Sequence, residues 1–493
     1  MSTELILTSF LLFTFLLFVV SFLTSRRAGN DTFFTGERKM SWIVVAYGMI
    51  GATLSGVTFI SIPGDVYNSY FSYLMVVIGY LAGYAVIAFV LLPVFYKLRV
   101  TTIYTYLKHR YGLTSYKTGS YFFIISKLFG AAGRLFLVAY VLHNFIFEAM
   151  NVPFVITAIL FIALIMIYTF RAGIKTVVWT DTLQTTFMIL SLILSFYFIS
   201  KSLNVSFAQL INKVFNHDYS KMVITDWHSR YNFLKQFIGG AFIAMTMTGL
   251  DQDMMQKNLS CKDLKSAQKN VVTMSLTMVP VILMFLILGV ALYIFADANA
   301  IPVVKGQTDN LFPSVMLKHL GGFAGIFFLI GLISAAYSSG DGALTSLTTT
   351  FCIDILDFDG KRSSLSENKK KNLRTMVHFS FAFLMIIIML IFKKLNNNAI
   401  ITTIFDIAGY TYGPLLGLFA LGLFSKINLN DRLVPLIAIL APIGCYILGY
   451  VFQRYFNYAF GFEKILINGL LTTIGLLMIR KKDTKAQLTS DTK

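Results

Sequence analysis

Charge is scarce in this chain. Only 13% of its 493 residues are Asp, Glu, Lys or Arg, whereas about a quarter is usual for a water-soluble domain, so a soluble catalytic domain is not expected. Cysteine is scarcer: Cys261, Cys352 and Cys445 are too few and too scattered for a disulfide framework or a cysteine metal centre. The chain has six histidines and no His-Glu-x-x-His, Gly-x-Ser-x-Gly or Gly-rich phosphate loop. No nucleophile–base constellation is legible, which argues against a membrane-embedded enzyme. Low-complexity segments and soluble repeats are also absent.

What is abundant is apolar. Hydrophobic residues make up 56% of the chain and the mean hydropathy is +0.72. Runs of roughly 20 apolar residues, the length that crosses a bilayer, recur at roughly 4–24, 41–63, 70–96, 118–147, 152–170, 180–200, 235–256, 270–296, 321–352, 375–392, 398–424, 432–452 and 457–479. The expectation is an all-α polytopic membrane protein of about 13 transmembrane helices, a single domain in the lipid bilayer.

The net charge of +18 does not imply a nucleic-acid partner. Most of the 41 Lys and Arg fall on one side if the N-terminus is outside, and basic residues mark the cytoplasmic side. An integral plasma (inner) membrane protein, N-terminus out and C-terminus in, is predicted. The first span has no basic n-region and its arginines follow the apolar run, so it reads as a retained helix rather than a cleaved signal. Segment 201–234 has helical spacing and suits an interfacial helix, 357–374 reads as a basic cytoplasmic linker, and 480–493 as a cytoplasmic tail.

Two spans look interrupted: "GMIGATLSGVTFISIPG" (48–64) and "FIGGAFIAMTMTGLDQDMMQ" (237–256). A broken helix survives in lipid only where its freed carbonyls meet protein, water or a ligand. Two such spans in corresponding halves are the mark of repeats around a midplane site, although small residues also serve plain helix packing. The stretch "YSSGDGALTS" (337–346) adds hydroxyls and a carboxylate inside an apolar run. On a helix Ala335, Ser338, Ser339 and Gly342 share a stripe, with Asp341 beside it. A hard cation takes several such oxygens, and carbonyls near Gly51 and Leu54 would complete the set. Intramembrane carboxylates are costly and usually functional.

Asp181, in "YTFRAGIKTVVWTDTLQ" (168–184), is equally a helix N-terminal acid meeting the dipole. This stretch, with "ATLSGVTFISIPG" (52–64), "GLDQDMMQ" (249–256), "SAAYSSGDGALTS" and "YGPLLGLFALGLF" (412–424), resembles in order and spacing the sodium:solute symporter family, which includes sodium-coupled sugar, proline and sialic acid transporters.

The resemblance implies the fold shared with amino-acid/sodium symporters. An extra N-terminal helix (4–24) precedes two inverted repeats of five helices (41–200 and 235–424), and C-terminal helices (432–479) follow. It implies Na⁺ as coupling ion, held by the carbonyls of Gly51, Leu54 and Ala335 and the hydroxyls of Ser338 and Ser339. Some members bind a second sodium with an aspartate matching Asp181 and hydroxyls matching Asp341 and Gly342. Here one of those hydroxyls is a carboxylate and the other has no side chain. Two carboxylates holding a second sodium, a protonated Asp341 and proton coupling are the open readings, the first favoured.

Thr53, Ser55, Thr58, Tyr73 and Val77 are the expected substrate-facing residues. Arg134, amid apolar neighbours, is either a structural clamp or an anion site, since guanidinium suits carboxylate bidentately. In the sialic acid members a matching arginine binds the substrate carboxylate, but a polar residue they place at Val77 is missing. Asp406, Tyr410 and Tyr412 fall where the family gates its outer cavity, and Asp251 and Asp253 read as anchors of surface lysines or helix ends. The function expected is sodium-coupled uptake by alternating access of a small polar solute (a sugar, acidic sugar or carboxylate), by a monomer. A proton-coupled symporter, a passive channel and a membrane sensor are the alternatives.

Overall fold

Helix is the only extended regular structure among the described residues, where two isolated bridge pairs are the sole β contacts. The computed structural model describes residues 3–25, 29–169, 173–303, 307–360, 362–395, 400–458 and 460–481, so most of the expected tail lies outside them. In lipid every backbone N–H and C=O must be satisfied within the chain, which leaves an apolar sequence little choice but helix.

The longer helices are α1 (Thr3–Ser25), α2 (Trp42–Thr53), α3 (Gly56–Ser69), α4 (Tyr73–Val86), α5 (Leu113–Leu142), α6 (Phe154–Thr169), α7 (Ile174–Ser202) and α8 (Phe233–Ala244). They continue with α9 (Gln252–Leu259), α10 (Leu264–Ala298), α11 (Gly322–Thr350), α12 (Glu367–Leu395), α13 (Ile400–Phe424), α14 (Val434–Phe456) and α15 (Lys464–Met478). Among the described residues eight helices are long and apolar enough to cross a membrane, or nine if the bent α8–α9 pair is one span. Shorter apolar helices include α2, α6 and α15. The helix expected within 201–234 is Phe207–Phe215, started by a capping box between Ser206 and Gln209 and packed on α7 and α10.

Burial sorts the helices. On α14, Leu436, Ile439, Leu440, Ile443 and Ile447 form an exposed apolar face at helical spacing, the face a lipid-contacting helix presents. By contrast every residue of α11 from Gly331 to Thr350 is buried. This central helix carries the "YSSGDGALTS" stretch and packs against α2, α3, α5 and α7.

Both interruptions exist, one of them displaced from its glycines. The first parts α2 from α3 at Leu54 and Ser55, where Ser55 has φ −18° and ψ 167°. The second is not at Gly239–Gly240. A Cβ on Gly240 would stand 2.1 Å from the Val76 carbonyl oxygen and one on Gly239 2.7 Å from the Phe462 Cβ, so Gly240 serves close packing of α8 on α4 and Gly239 packing against Phe462. The chain breaks instead at Leu250 and Asp251, where α9 turns off by 66°.

Candidate functional site

At the first break, Leu54 N–H donates to Ile50 C=O (3.0 Å) and the next turn begins with Phe59 N–H to Ser55 C=O (3.1 Å). The carbonyls of residues 51–54 therefore receive no bond of the helical ladder, the condition for offering them to a cation. The break faces α11: a Cβ on Gly56 would lie 3.9 Å from the Ala336 Cα. Ala335, Ser338 and Ser339 are buried one turn along, and the Ser339 hydroxyl donates to the Ala335 carbonyl at 3.2 Å. The structure thus brings the two expected halves of the main site, Gly51–Leu54 and Ala335–Ser339, onto packed helices. Gly51 also presses on α7, where a Cβ would stand 2.2 Å from Thr185 Oγ1, the atom that accepts the Gly51 N–H at 3.1 Å.

The expected second-site residues are already engaged. Asp181 Oδ1 accepts the Ser338 hydroxyl, and Asp181 Oδ2 lies 2.9 Å from the Lys257 ammonium. Asp341 accepts Tyr168 and Thr180 hydroxyls at 3.2 Å on Oδ2 and the Gly342 N–H at 2.6 Å on Oδ1. A Cβ on Gly342 would meet Asp253 Oδ1 at 2.4 Å, so the bare backbone there makes room for a carboxylate from α9.

Asp251 and Asp253 do lie at a helix end, since Asp251 caps α9 by accepting the Asp253 and Met254 N–H groups. Their lysines, however, are not at the surface. Lys127 is 3.1 Å from Asp251 and 2.8 Å from Asp253, Lys257 is 3.4 Å from Asp253, and all four side chains are nearly inaccessible. Charges this deep are tolerated only when paired.

Beside the first break lies a cavity of about 1020 Å³. Thr53, Ser55, Thr58, Tyr73 and Arg134 line it, as expected, as do Asp406 and Tyr410. Two expected residues do not. Val77 is fully buried off the wall, one turn from Tyr73 and from Tyr80, whose hydroxyls meet at 3.2 Å. Tyr412 is buried too and donates to Asp251 Oδ2 at 2.5 Å, so it belongs to the ion-pair cluster rather than to a gate. Asp406 pairs with Lys464 at the rim.

Sequence reasoning missed Tyr80, Tyr84, Thr248, Asp65 and Asp309 on the wall and Lys257 in the cluster. Tyr80 and Tyr84 were findable, since they follow Tyr73 by seven and eleven residues on one helical face. Asp309 sits in the loop after α10, where burial raises its carboxyl to about 6. Arg134 makes no hydrogen bond or ion pair among the described residues, and its field reaches the hydroxyls of Tyr73, Tyr80 and Tyr412.

The chain is similar to known transporters over most of its length. The chain is 24% identical over 469 residues to the sodium/sialic acid symporter SiaT of Proteus mirabilis, covering 93% of this chain and 92% of that protein. The sodium/sialic acid symporter NanT of Aliivibrio fischeri is 25% identical over 434 residues, 86% and 83% of the two chains. The solved structure of a Na⁺-coupled sialic acid symporter in a substrate-bound outward-open state superposes with a TM-score of 0.82 at 22% identity, covering 97% of this chain and 99% of that one. These relatives are sodium-coupled transporters, not enzymes. With the family model matching residues 33–434, the chain belongs to the sodium:solute symporter family and is a sodium-coupled solute symporter of the membrane.

Proposed function

We propose that this protein carries a small acidic solute inward with sodium by alternating access. The single observation that favours an acid is Arg134, a guanidinium with no ion pair among the described residues, on the wall of a cavity otherwise rich in hydroxyls. An arginine in apolar surroundings that has no protein counterion has a strong electrostatic demand for one, and a carboxylate meets it with two parallel hydrogen bonds. Tyr73, Thr53, Ser55 and Thr58 offer the hydrogen bonds a polyhydroxylated or amide-bearing body needs. The sialic acid carried by SiaT and NanT is one acid of this kind.

On this reading the sodium ion sits between the carbonyls of Gly51, Leu54 and Ala335 and the hydroxyls of Ser338 and Ser339. It ties the α2–α3 break to α11, and so stabilises the arrangement in which the cavity is formed. Coupling follows if sodium binds that arrangement better than the alternative.

The reading includes thirteen spans, five-plus-five inverted repeats and an N-terminus outside. Its support is the pair of broken helices and the cavity mouth. Asp65, Asn68, Arg230 and Gln307–Asn310 line the cavity on the face that this orientation makes external.

The driving force depends on stoichiometry. A tenfold sodium gradient supplies about 1.4 kcal/mol per ion, and each net charge moved adds about 2.3 kcal/mol per 100 mV. One sodium with one monovalent anion moves no net charge, which supports about tenfold accumulation at that gradient. Two sodium ions would support roughly several thousandfold at 100 mV.

Proteoliposomes test the reading with labelled N-acetylneuraminate, pyruvate and glucose, under inward sodium or choline gradients. Sodium-dependent uptake of an acid is expected, abolished by Arg134→Ala and partly kept by Arg134→Lys. Sodium-driven glucose uptake that is indifferent to Arg134→Ala would overturn the acidic assignment.

A further inference from the structure

Six ionisable side chains are buried away from the cavity wall: Asp181, Asp251, Asp253, Asp341, Lys127 and Lys257. Lys127 is held by α5, Asp251, Asp253 and Lys257 by the start and body of α9, Asp181 by α7 and Asp341 by α11. Lys127 serves Asp251 and Asp253. Lys257 reaches further in, 2.9 Å from Asp181 Oδ2 and 3.4 Å from Asp253 Oδ1, with Asp341 within its field.

That position has the chemistry of a cation site. It is bounded by carboxylate oxygens and by Ser338, whose hydroxyl donates to Asp181. It is also fully desolvated, so an uncompensated carboxylate there would be strongly unfavourable. Gly342 is what admits the lysine's second counterion, because any side chain at 342 would collide with the Asp253 carboxylate.

We propose that the Lys257 ammonium is a tethered cation occupying the place a second sodium would take, so that a single sodium accompanies each solute. The proposal rests on the sodium-symport reading above and fixes its stoichiometry. A cation delivered by the chain costs no transported ion and stays paired with Asp181 and Asp253 throughout the cycle. With a monovalent acid as solute, uptake is then electroneutral.

Equilibrium binding of ²²Na⁺ to purified full-length protein in nanodiscs decides the matter. Wild type is expected to bind one ion. Lys257→Ala is expected to bind two, with the extra ion lost again in Lys257→Ala/Asp181→Asn, and Lys257→Arg to bind one. Two ions on wild type, or no gain in Lys257→Ala, overturn the proposal. If wild type binds none and Lys257→Ala binds one, the main-site reading fails while the tethered cation stands. Should Lys257→Ala fail to fold, the charge-neutral Lys257→Met/Asp181→Asn protein and wild type carry the test: two ions on wild type still refute it, and one ion on both supports it.

Discussion

Replacing Gly51 by alanine strikes the proposed sodium cage through a contact that the structure defines closely. The added Cβ would stand 2.2 Å from Thr185 Oγ1 and 3.1 Å from Thr185 Cβ. Thr185 cannot simply swing away, because its hydroxyl donates to the Asp181 carbonyl at 2.7 Å and accepts the Gly51 N–H at 3.1 Å. To reach ordinary contact distance α2 must retreat from α7 by roughly 1 Å. Overpacking of this kind costs about 1–3 kcal/mol. The Gly51 carbonyl retreats with its helix, so part of that cost falls on ion binding alone. The sodium concentration giving half the stabilisation should rise by about ten- to a hundredfold, equivalent to roughly 1.4–2.8 kcal/mol. The assay is the unfolding midpoint titrated with sodium against choline, because a ligand that binds only the folded state raises that midpoint. Gly130→Ala, where an added Cβ meets nothing within 4 Å, is the control. Thr185→Ala combined with Gly51→Ala should recover part of the loss by removing the nearest atom. A Gly51→Ala protein with wild-type sodium dependence would refute the reasoning.

Two further outcomes are expected. Tyr412→Phe removes the hydroxyl that donates to buried Asp251 at 2.5 Å, which should cost about 1.5–3 kcal/mol in unfolding experiments; Tyr410→Phe, on the cavity wall, is the comparison, and equal stability of the two would contradict the buried role of Tyr412. Asp309 is raised from its ordinary 3.8 to about 6 by burial, so its charged form is disfavoured in the folded state and stability is lost as pH rises through that interval. The unfolding midpoint should therefore fall as pH rises from 3.8 to about 6 in wild type and fall less in Asp309→Asn, and identical pH profiles would count against the assignment.

The sequence exposed the features that recur with a period or break one. Apolar runs announced the helices, and the glycine-rich 48–64 stretch marked a true break. What it hid depends on which helix face meets which neighbour. Tyr410 and Tyr412 lie two residues apart, about 200° around a helix, so only one of them lines the cavity and the other turns to Asp251. That much was deducible. Lys257 was not, since an acid four residues before a lysine also describes a solvated helix face. Its burial arises because α9 turns by 66° at Leu250–Asp251 and Gly342 on a distant helix leaves room for Asp253. Val77 misled because it lies one turn from Tyr73 and from Tyr80 yet is fully buried off the cavity wall.

The most direct measurement is concentrative uptake of a labelled acid by Ser339→Ala beside wild type, in proteoliposomes under an inward sodium gradient. The account predicts that wild type raises the internal concentration above the external one and loses that excess when gramicidin collapses the gradient, whereas Ser339→Ala reaches equality at most. A Ser339→Ala transporter that concentrates the acid as wild type does would place the coupling ion elsewhere.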